Sequence, residues 1–167
     1  MQRAPNKLQR SLMRLDEAPR FMRGWVQSII LRRAVPFTGT AGVQFVSLTP
    51  ERVEVRMANE HRVHNHIGGV HASAMNLLAE TATGMVIGMN VRDDCLPLAK
   101  EMRMAFRKRS TGALRAVATL TPEQRAALQA SDQGELTVAV TVTDEAGVEP
   151  AECAFTWAWM PSSPRKN

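Results

Sequence analysis

One acidic side chain stands alone in a long apolar part of the chain. Between Arg62 and Arg92, Glu80 is the only Asp, Glu, Lys or Arg. A carboxylate in an apolar helix is costly unless it is paired or is kept for chemistry. An unpaired carboxylate of this kind can act as a general base or as a nucleophile. The neighbours of Glu80 therefore decide what the chain can catalyse.

The apolar segment is preceded by a polar loop, NHIGGVHA, which begins at Asn65. Gly68 and Gly69 allow the backbone to approach a ligand closely. The first N–H groups of a helix are unpaired and carry partial positive charge, so the amides from Gly69 to His71 are predicted to form an oxyanion site. Asn65 is predicted to hydrogen-bond a substrate carbonyl or to orient the attacking water, and His71 to orient the loop.

A polar stripe runs along the segment that contains Glu80. Polar residues at spacings of three, four and three share one face of a helix. The predicted catalytic residues are Glu80, Asn65, Gly69 and His71, and the predicted substrate-binding residues are Gly68, His66, Val70, Ser73, Asn76 and Thr83. The alternative is a polar seam at a dimer interface, in which Glu80 is paired to an Arg or a hydroxyl.

The distance between the two halves of this site predicts an oligomer. Glu80 lies eleven residues after Gly69, which is about 16 Å along a helix. The Glu80 of one chain cannot reach its own helix start, so we expect a two-fold dimer with two shared sites. A tetramer built from such dimers is also open.

The elements that must position these residues follow from hydrophobic spacing. A period of 3.6 predicts helices over residues 6–17, 20–33 and about 70–90, whereas a period of two predicts strands. The predicted strands are 43–48, 53–57, 102–106, 114–120, 136–143 and 153–159, and a capping box at Thr121 opens a short helix between the fourth and fifth. The economical α+β packing lays the long helix across the concave face of a curved antiparallel sheet.

Chain length and the distribution of charge limit the domain organisation and the classes of function that the protein can have. A chain of 167 residues is predicted to contain a basic helical extension over 1–35, one domain over 36–160 and a disordered tail over 161–167. Residues 1–35 hold eight Lys/Arg and two Asp/Glu, so the basic charge belongs to the extension, and we expect no nucleic-acid partner. We expect its helices to dock on the domain rather than to lie on a membrane, and no span of the membrane. The separated Cys95 and Cys153 predict a reduced, cytoplasmic protein.

The four histidines lie within eleven residues of one another, and three of them form an HxxHxH pattern at His61, His64 and His66. No acidic or Cys ligand stands at a motif-like spacing from them, so we expect neither a metal nor a cofactor.

The NHIGGVHA motif and the order of elements resemble the hotdog-fold thioesterase superfamily over residues 36–160. The resemblance is to acyl-CoA thioesterases of the phenylacetyl-CoA type and to an uncharacterised branch beside them, and it implies hydrolysis of an acyl-CoA or a related thioester. The family motif places an Asn, a Gly, a His and an acid where this chain has Asn65, Gly68, His71 and Glu80. The family usually has two glycines after the His, where this chain has Ala72 and Ser73, and the difference narrows the room near the helix start.

Two other functions remain open from the sequence. The spacing of His66 and Glu80 also resembles that of hotdog 3-hydroxyacyl dehydratases, although the prolines of their motif are missing. A non-enzymatic acyl-CoA-binding regulator would use the basic helices as its docking arm, although they show no helix-turn-helix spacing. Candidate cations for the CoA phosphates are Arg103, Arg107, Lys108 and Arg109, and candidate residues for the acyl pocket are Met75, Met85, Met102 and Met104.

Overall fold

A computed structural model describes residues 4–15 and 20–162 of the chain. The helices are α1 (Lys7–Leu15), α2 (Arg20–Ala34), α3 (Pro36–Ala41), α4 (Ala72–Gly88) and α5 (Pro122–Ala130), with a short 3-10 helix at His61–Val63. The strands are β1 (Gln44–Leu48), β2 (Arg52–Met57), β3 (Cys95–Phe106), β4 (Leu114–Thr119), β5 (Gly134–Asp144) and β6 (Ala151–Pro161).

All six strands form one antiparallel sheet in the order β1-β2-β4-β5-β6-β3. The sheet is curved, and α4 packs on it with contacts to five of the six strands. Apolar residues at alternate strand positions face α4, which itself buries nine residues, because a long apolar helix must be covered on several sides. The fully buried core includes Val53, Val55, Met57, Leu78, Ile87, Leu114, Val138, Val142 and Phe155. The predicted α+β hotdog architecture is confirmed.

The start of β3 differs from the prediction. The sequence predicted a strand over 102–106, but β3 begins seven residues earlier, at Cys95, includes Pro97, and pairs with β6 alone, at an edge of the sheet. An edge strand tolerates proline because some of its N–H groups face away from the neighbouring strand. An irregularity between Ala99 and Glu101 then shifts the register, so that Leu96 and Leu98 lie on the opposite face from Met102.

The helical extension is docked through α1. The Asn6 side-chain amide, just before α1, donates to the carbonyls of Gly88 and Val91 at 2.9 and 2.8 Å. These bonds satisfy acceptors at the C-terminal end of α4, where a helix leaves carbonyls unpaired. Arg10 forms an ion pair of 3.0 Å with Asp93. The extension thus caps the C-terminal end of α4, a role that residues next to a helix usually fill.

The margins of the domain differ from the sequence expectations in part. The structure adds α3, which the sequence did not predict, directly after α2. The capping box at Thr121 is present, with Thr121 and Gln124 bonded reciprocally. The predicted tail begins too early, because Pro161 belongs to β6 and Ser162 donates to the Asp94 carbonyl. Residues 16–19 of the extension and 163–167 of the tail lie outside the described part.

Gly84 provides a stability test of the contact between α4 and β6. A Cβ at Gly84 would lie 2.8 Å from Cη2 of Trp157, whose indole is held by a hydrogen bond to Thr83. Gly84→Ala is therefore expected to lower the free energy of unfolding by about 1–3 kcal/mol, although alanine has the better helix propensity. Gly88→Ala is the control, because its Cβ meets only a Leu8 methyl at 3.2 Å. The free energy of unfolding of both variants is measured in urea. A Gly84→Ala protein that is as stable as wild type would contradict the close contact between Gly84 and Trp157.

Candidate active site

The start of α4 is built by a histidine cap. His71 is the N-cap residue, and its Nδ1 accepts the Ser73 N–H at 3.0 Å. The His71 carbonyl accepts the Met75 N–H at 3.0 Å. The N–H groups of Ala72 and Ala74 then have no hydrogen-bond acceptor among residues 4–15 and 20–162. They are the amides that remain free to bind an anionic oxygen at the positive end of the helix.

In the loop before α4, two of the three amides predicted as the oxyanion site, those of Gly69 and His71, already have acceptors. The Asn65 Oδ1 accepts the N–H groups of Ile67 and Gly69 at 3.0 and 3.1 Å, and the His71 N–H donates to the Val63 carbonyl at 2.7 Å. The predicted oxyanion segment from Gly69 to His71 is therefore occupied at both ends. The side chain of Asn65 thus stabilises the conformation of the loop through these hydrogen bonds.

Gly68 lies at the turn of that loop. Its φ of +77° is the left-handed region that glycine adopts without strain. Val70 is buried and pairs with His64 in an isolated bridge, so its side chain belongs to the core. Arg109, in the segment after β3, donates to the Ile67 carbonyl at 3.0 Å and so connects that segment to the loop.

Glu80 lies on α4, two turns after Ala72. Its side chain is half-buried, and its carboxylate has no hydrogen bond or ion pair within the described residues. Burial raises the pKa of Glu80 above its ordinary value, because desolvation disfavours the charged form. Within its own protomer, no described Arg or hydroxyl pairs with Glu80, and the alternative of a pairing across a dimer interface stays a prediction. A half-buried carboxylate with a raised pKa is well suited to accept a proton near neutral pH.

A cavity of about 590 Å³ joins Glu80 to the helix start. Its polar wall comes from one face of α4, and its apolar wall comes from β3 and α3. The lining residues are Phe37, Ala72, Ser73, Asn76, Leu77, Glu80, Met102, Met104 and Phe106. This volume is in the range of small-molecule sites, and an apolar wall opposite a few polar groups is typical of them.

The predicted polar stripe divides in the structure. Ser73, Asn76 and Glu80 line the cavity, and the Asn76 amide lies 3.7 Å from the Met102 sulfur. Thr83 is fully buried: its hydroxyl accepts the indole N–H of Trp157 at 3.0 Å and contacts main-chain carbonyls of its own helix. The expectation of substrate binding by Thr83 is therefore corrected, because no surface of its side chain is available.

The histidines do not converge on Glu80. His66 is exposed in the loop and does not line the cavity, so one protomer does not bring His66 to its own Glu80. The rings of His61 and His64 lie 6.0 Å apart, and the buried His64 Nε2 has no partner. Within the described ranges, no three His, Cys, Asp or Glu side chains are grouped as metal ligands.

The other candidate contacts are only partly at the cavity. Met102 and Met104 line it as expected, whereas Met75 is buried in the core and Met85 does not reach it. The basic side chains are mostly paired, Arg103 with Glu101 and Arg107 with Glu152, at 2.8 Å each. Sequence reasoning missed Phe37, Phe106 and the amide of Ala72. The exposure of Phe37 depends on α3, which no periodicity signalled.

The geometry retains the separation of the two halves. Ala72 and Glu80 are eight residues apart, which is about 12 Å along α4. Ala72 and Glu80 of one chain therefore line the same cavity, but they are too far apart along α4 to act on the same substrate atom.

Comparison with solved structures places this cavity in a known fold. PA5026 from Pseudomonas aeruginosa, a protein of unknown function described as a probable thioesterase, is 26% identical, with a TM-score of 0.74 over 82% of this chain and 95% of that chain. The thioesterase HI1161 from Haemophilus influenzae is 13% identical, with a TM-score of 0.64 over 78% and 87%. A thioesterase family protein from Silicibacter pomeroyi is 18% identical, with a TM-score of 0.63 over 83% and 100%.

Three further findings stand beside these likenesses. No curated protein sequence matches the chain. None of the helices in the described ranges is both long and apolar enough to traverse a bilayer. The model of one family, described as a domain of unknown function, DUF4442, matches residues 23–160. The chain thus has the hotdog fold of the thioesterase superfamily, and it belongs to the DUF4442 family.

Proposed function

We propose that the protein is an acyl-CoA thioesterase that uses Glu80 as its general base. The observation that carries the proposal is the unpaired, half-buried Glu80 in one cavity with the free amides at the start of α4. Thioesterases among the solved structures of this fold support the same reaction class. The apolar wall of Phe37, Met102 and Phe106 suits an acyl or aryl group.

The chemistry follows from these groups. The thioester carbonyl oxygen accepts a hydrogen bond from the Ala72 N–H, which stabilises the charge that develops on this oxygen. Glu80 takes a proton from water, and the water oxygen attacks the carbonyl carbon. When the carbon–sulfur bond breaks, the CoA sulfur leaves and receives the proton, so the products are a carboxylic acid and free CoA. In the alternative course, the Glu80 carboxylate attacks first and water hydrolyses the resulting anhydride.

Two copies of the chain complete the proposed site. The gap of about 12 Å along the helix prevents one Glu80 from serving its own Ala72 amide. The free edge of β3 offers unpaired main-chain groups for a second sheet, and Leu98, Met102 and Phe106 on this strand are between 41% and 51% exposed. We infer a two-fold dimer across this edge, in which the helix start of one chain faces Glu80 of the other.

An acyl-CoA panel tests the reaction itself. Free thiol is measured after addition of short-chain, long-chain and aryl thioesters of CoA, with Glu80→Gln as the background. Hydrolysis of at least one member by wild type, and not by the variant, is the expected result. A wild-type protein that releases no thiol from any of them would refute the proposal.

Mixed dimers test the shared site. Ala72→Pro removes one half of each site and Glu80→Gln removes the other, so each homodimer should be inactive. Random exchange makes half of the dimers mixed, and each mixed dimer holds one intact site of two. The expected activity is about one quarter of wild type after refolding the two variants together. No recovery, in mixtures that mass spectrometry shows to contain mixed dimers, would place each site within one chain.

A further inference from the structure

The second helix of the extension is docked with its polar side inward. Gln27 and Ser28 are 6% and 5% exposed, and the Ser28 hydroxyl accepts the Phe45 N–H of β1 at 2.9 Å. The same hydroxyl donates to the Gly24 carbonyl at 2.6 Å. Among the side chains of α2 that the structure describes, Leu31 is the apolar one buried on this side. A helix on the surface of a globular protein normally buries its apolar stripe instead.

The outer side of α2 is correspondingly apolar. Trp25 is 64% exposed, Ile30 is 42% exposed and Met22 is 37% exposed. Val26 and Ile29 are half-buried and fall between them on the helical wheel. Five apolar side chains at spacings of three and four thus form one face, with Arg33 at its end. An exposed apolar face of this kind generally marks a surface that binds something.

Charge indicates what this surface binds. The segments that form α1 and α2 contain seven Lys or Arg residues and no Asp or Glu. Lys7, Arg14 and Arg33 are exposed. A basic helix with an apolar face and an outward Trp has the composition of helices that lie in the interface of an anionic bilayer, where the indole ring is stabilised at the headgroup level. Nucleic acid would leave the apolar face uncovered.

We propose that the outer face of α2 docks the protein on the surface of an anionic phospholipid bilayer. The apolar residues enter the boundary between headgroups and acyl chains, and the exposed Arg33 at the end of this face lies beside the lipid phosphates. At 15 residues, α2 lies along the surface and does not cross it. Our expectation that the extension docks only on its own domain thus holds for α1, whereas α2 uses one side for the domain and leaves the other for lipid.

Trp25 gives the experiment its own reporter. Trp157 and Trp159, the other two tryptophans of the chain, are 6% and 4% exposed and already in apolar surroundings. Wild type is mixed with phosphatidylcholine vesicles, with or without a quarter of phosphatidylglycerol, and binding is measured by sedimentation and tryptophan emission. Binding with a blue shift on the anionic vesicles, weakened by added salt, is expected. Trp25→Phe should bind but lose the shift.

A double variant tests the face. Trp25→Gln/Ile30→Gln should lower vesicle affinity by at least about tenfold. Met160→Gln is the control, because Met160 is 47% exposed on β6 whereas α2 packs on β1, and it should bind as wild type. Circular dichroism checks that all variants are folded.

Three results would overturn the proposal: no binding of wild type to anionic vesicles, equal binding by the double variant, or a wild-type assembly that the double variant halves in size. The last would mean that a second copy covers α2. The outcome is separable from the proposed reaction, since vesicle binding needs no substrate, and hydrolysis of a short-chain acyl-CoA without vesicles should be unchanged in the double variant.

Discussion

Replacing Glu80 by glutamine is expected to lower kcat about a thousandfold, with the fold intact. Glutamine keeps the size of the side chain but cannot accept the proton of the attacking water. KM should change little, because the acyl group is held by the apolar wall of the cavity. Glu123→Gln, which changes an exposed carboxylate on α5, an element that does not line the cavity, is the control and should leave the rate unchanged.

The pH dependence of kcat in the wild-type protein provides an independent test of Glu80 as the general base. Burial raises the pKa of Glu80 above 4.5 in the folded protein. The reaction needs the ionised form, so the rate should fall as pH decreases through this raised pKa, which places the acid limb of kcat above pH 4.5. A profile of kcat that is flat through this region would argue against Glu80 as the base.

The same raised pKa makes a prediction for stability. A group with a raised folded pKa stabilises the folded state fully below its unfolded pKa, and this contribution is lost as pH rises through the folded pKa. At pH 7 the charged Glu80 therefore destabilises the fold, and Glu80→Gln should raise the free energy of unfolding there. Near pH 4 the difference should shrink, because Glu80 is largely protonated in both states. A variant that gains in stability while losing its activity would be the signature of a functional charge.

The second large effect is expected for Ala72→Pro, which deletes the proposed oxyanion donor. Proline lacks the N–H but is favoured at the first position of a helix, so α4 should form normally. His71 has φ −64° and ψ 144°, the extended conformation that a residue before proline requires. We expect kcat to fall by about 100- to 1000-fold, with an unchanged midpoint of thermal unfolding.

Ala72→Val is the matched control for this substitution. Valine adds comparable bulk at the edge of the cavity but retains the N–H. It should keep most of the rate, apart from any effect on KM. Equal losses in the two variants would show that space, and not the hydrogen-bond donor, is what matters at Ala72.

The sequence predicted the elements better than the local geometry of the site. Periodicity identified α4 and the strands because their burial extends over many residues and averages out local exceptions. The predicted oxyanion segment, Gly69 to His71, precedes the Ala72 amide that we propose, because the difference depends on a single cap: His71 is not among the usual N-cap residues, so the helix was expected to begin at about residue 70. Thr83 was misassigned because the partner that buries it, Trp157, lies 74 residues away in the sequence.

The apolar wall of the cavity opposite Glu80 could not be predicted from the sequence, for a related reason. It depends on the register of β3, in which the shift between Ala99 and Glu101 determines which side chains face α4. Neither this shift nor the six-residue helix α3, which brings Phe37 to the cavity, leaves a periodic signal. Both arise from pairing and packing between distant segments.

The hydrogen bonds of Asn6 bear on where the folding unit ends. The family match begins at residue 23, yet the carbonyls of Gly88 and Val91 are satisfied from residue 6. Detachment of α1 would expose these acceptors, so the last turn of α4 and the extension should open together in hydrogen exchange. The extension is then a cooperative part of the domain, and a relative that begins later in the chain must close the end of its central helix by other means.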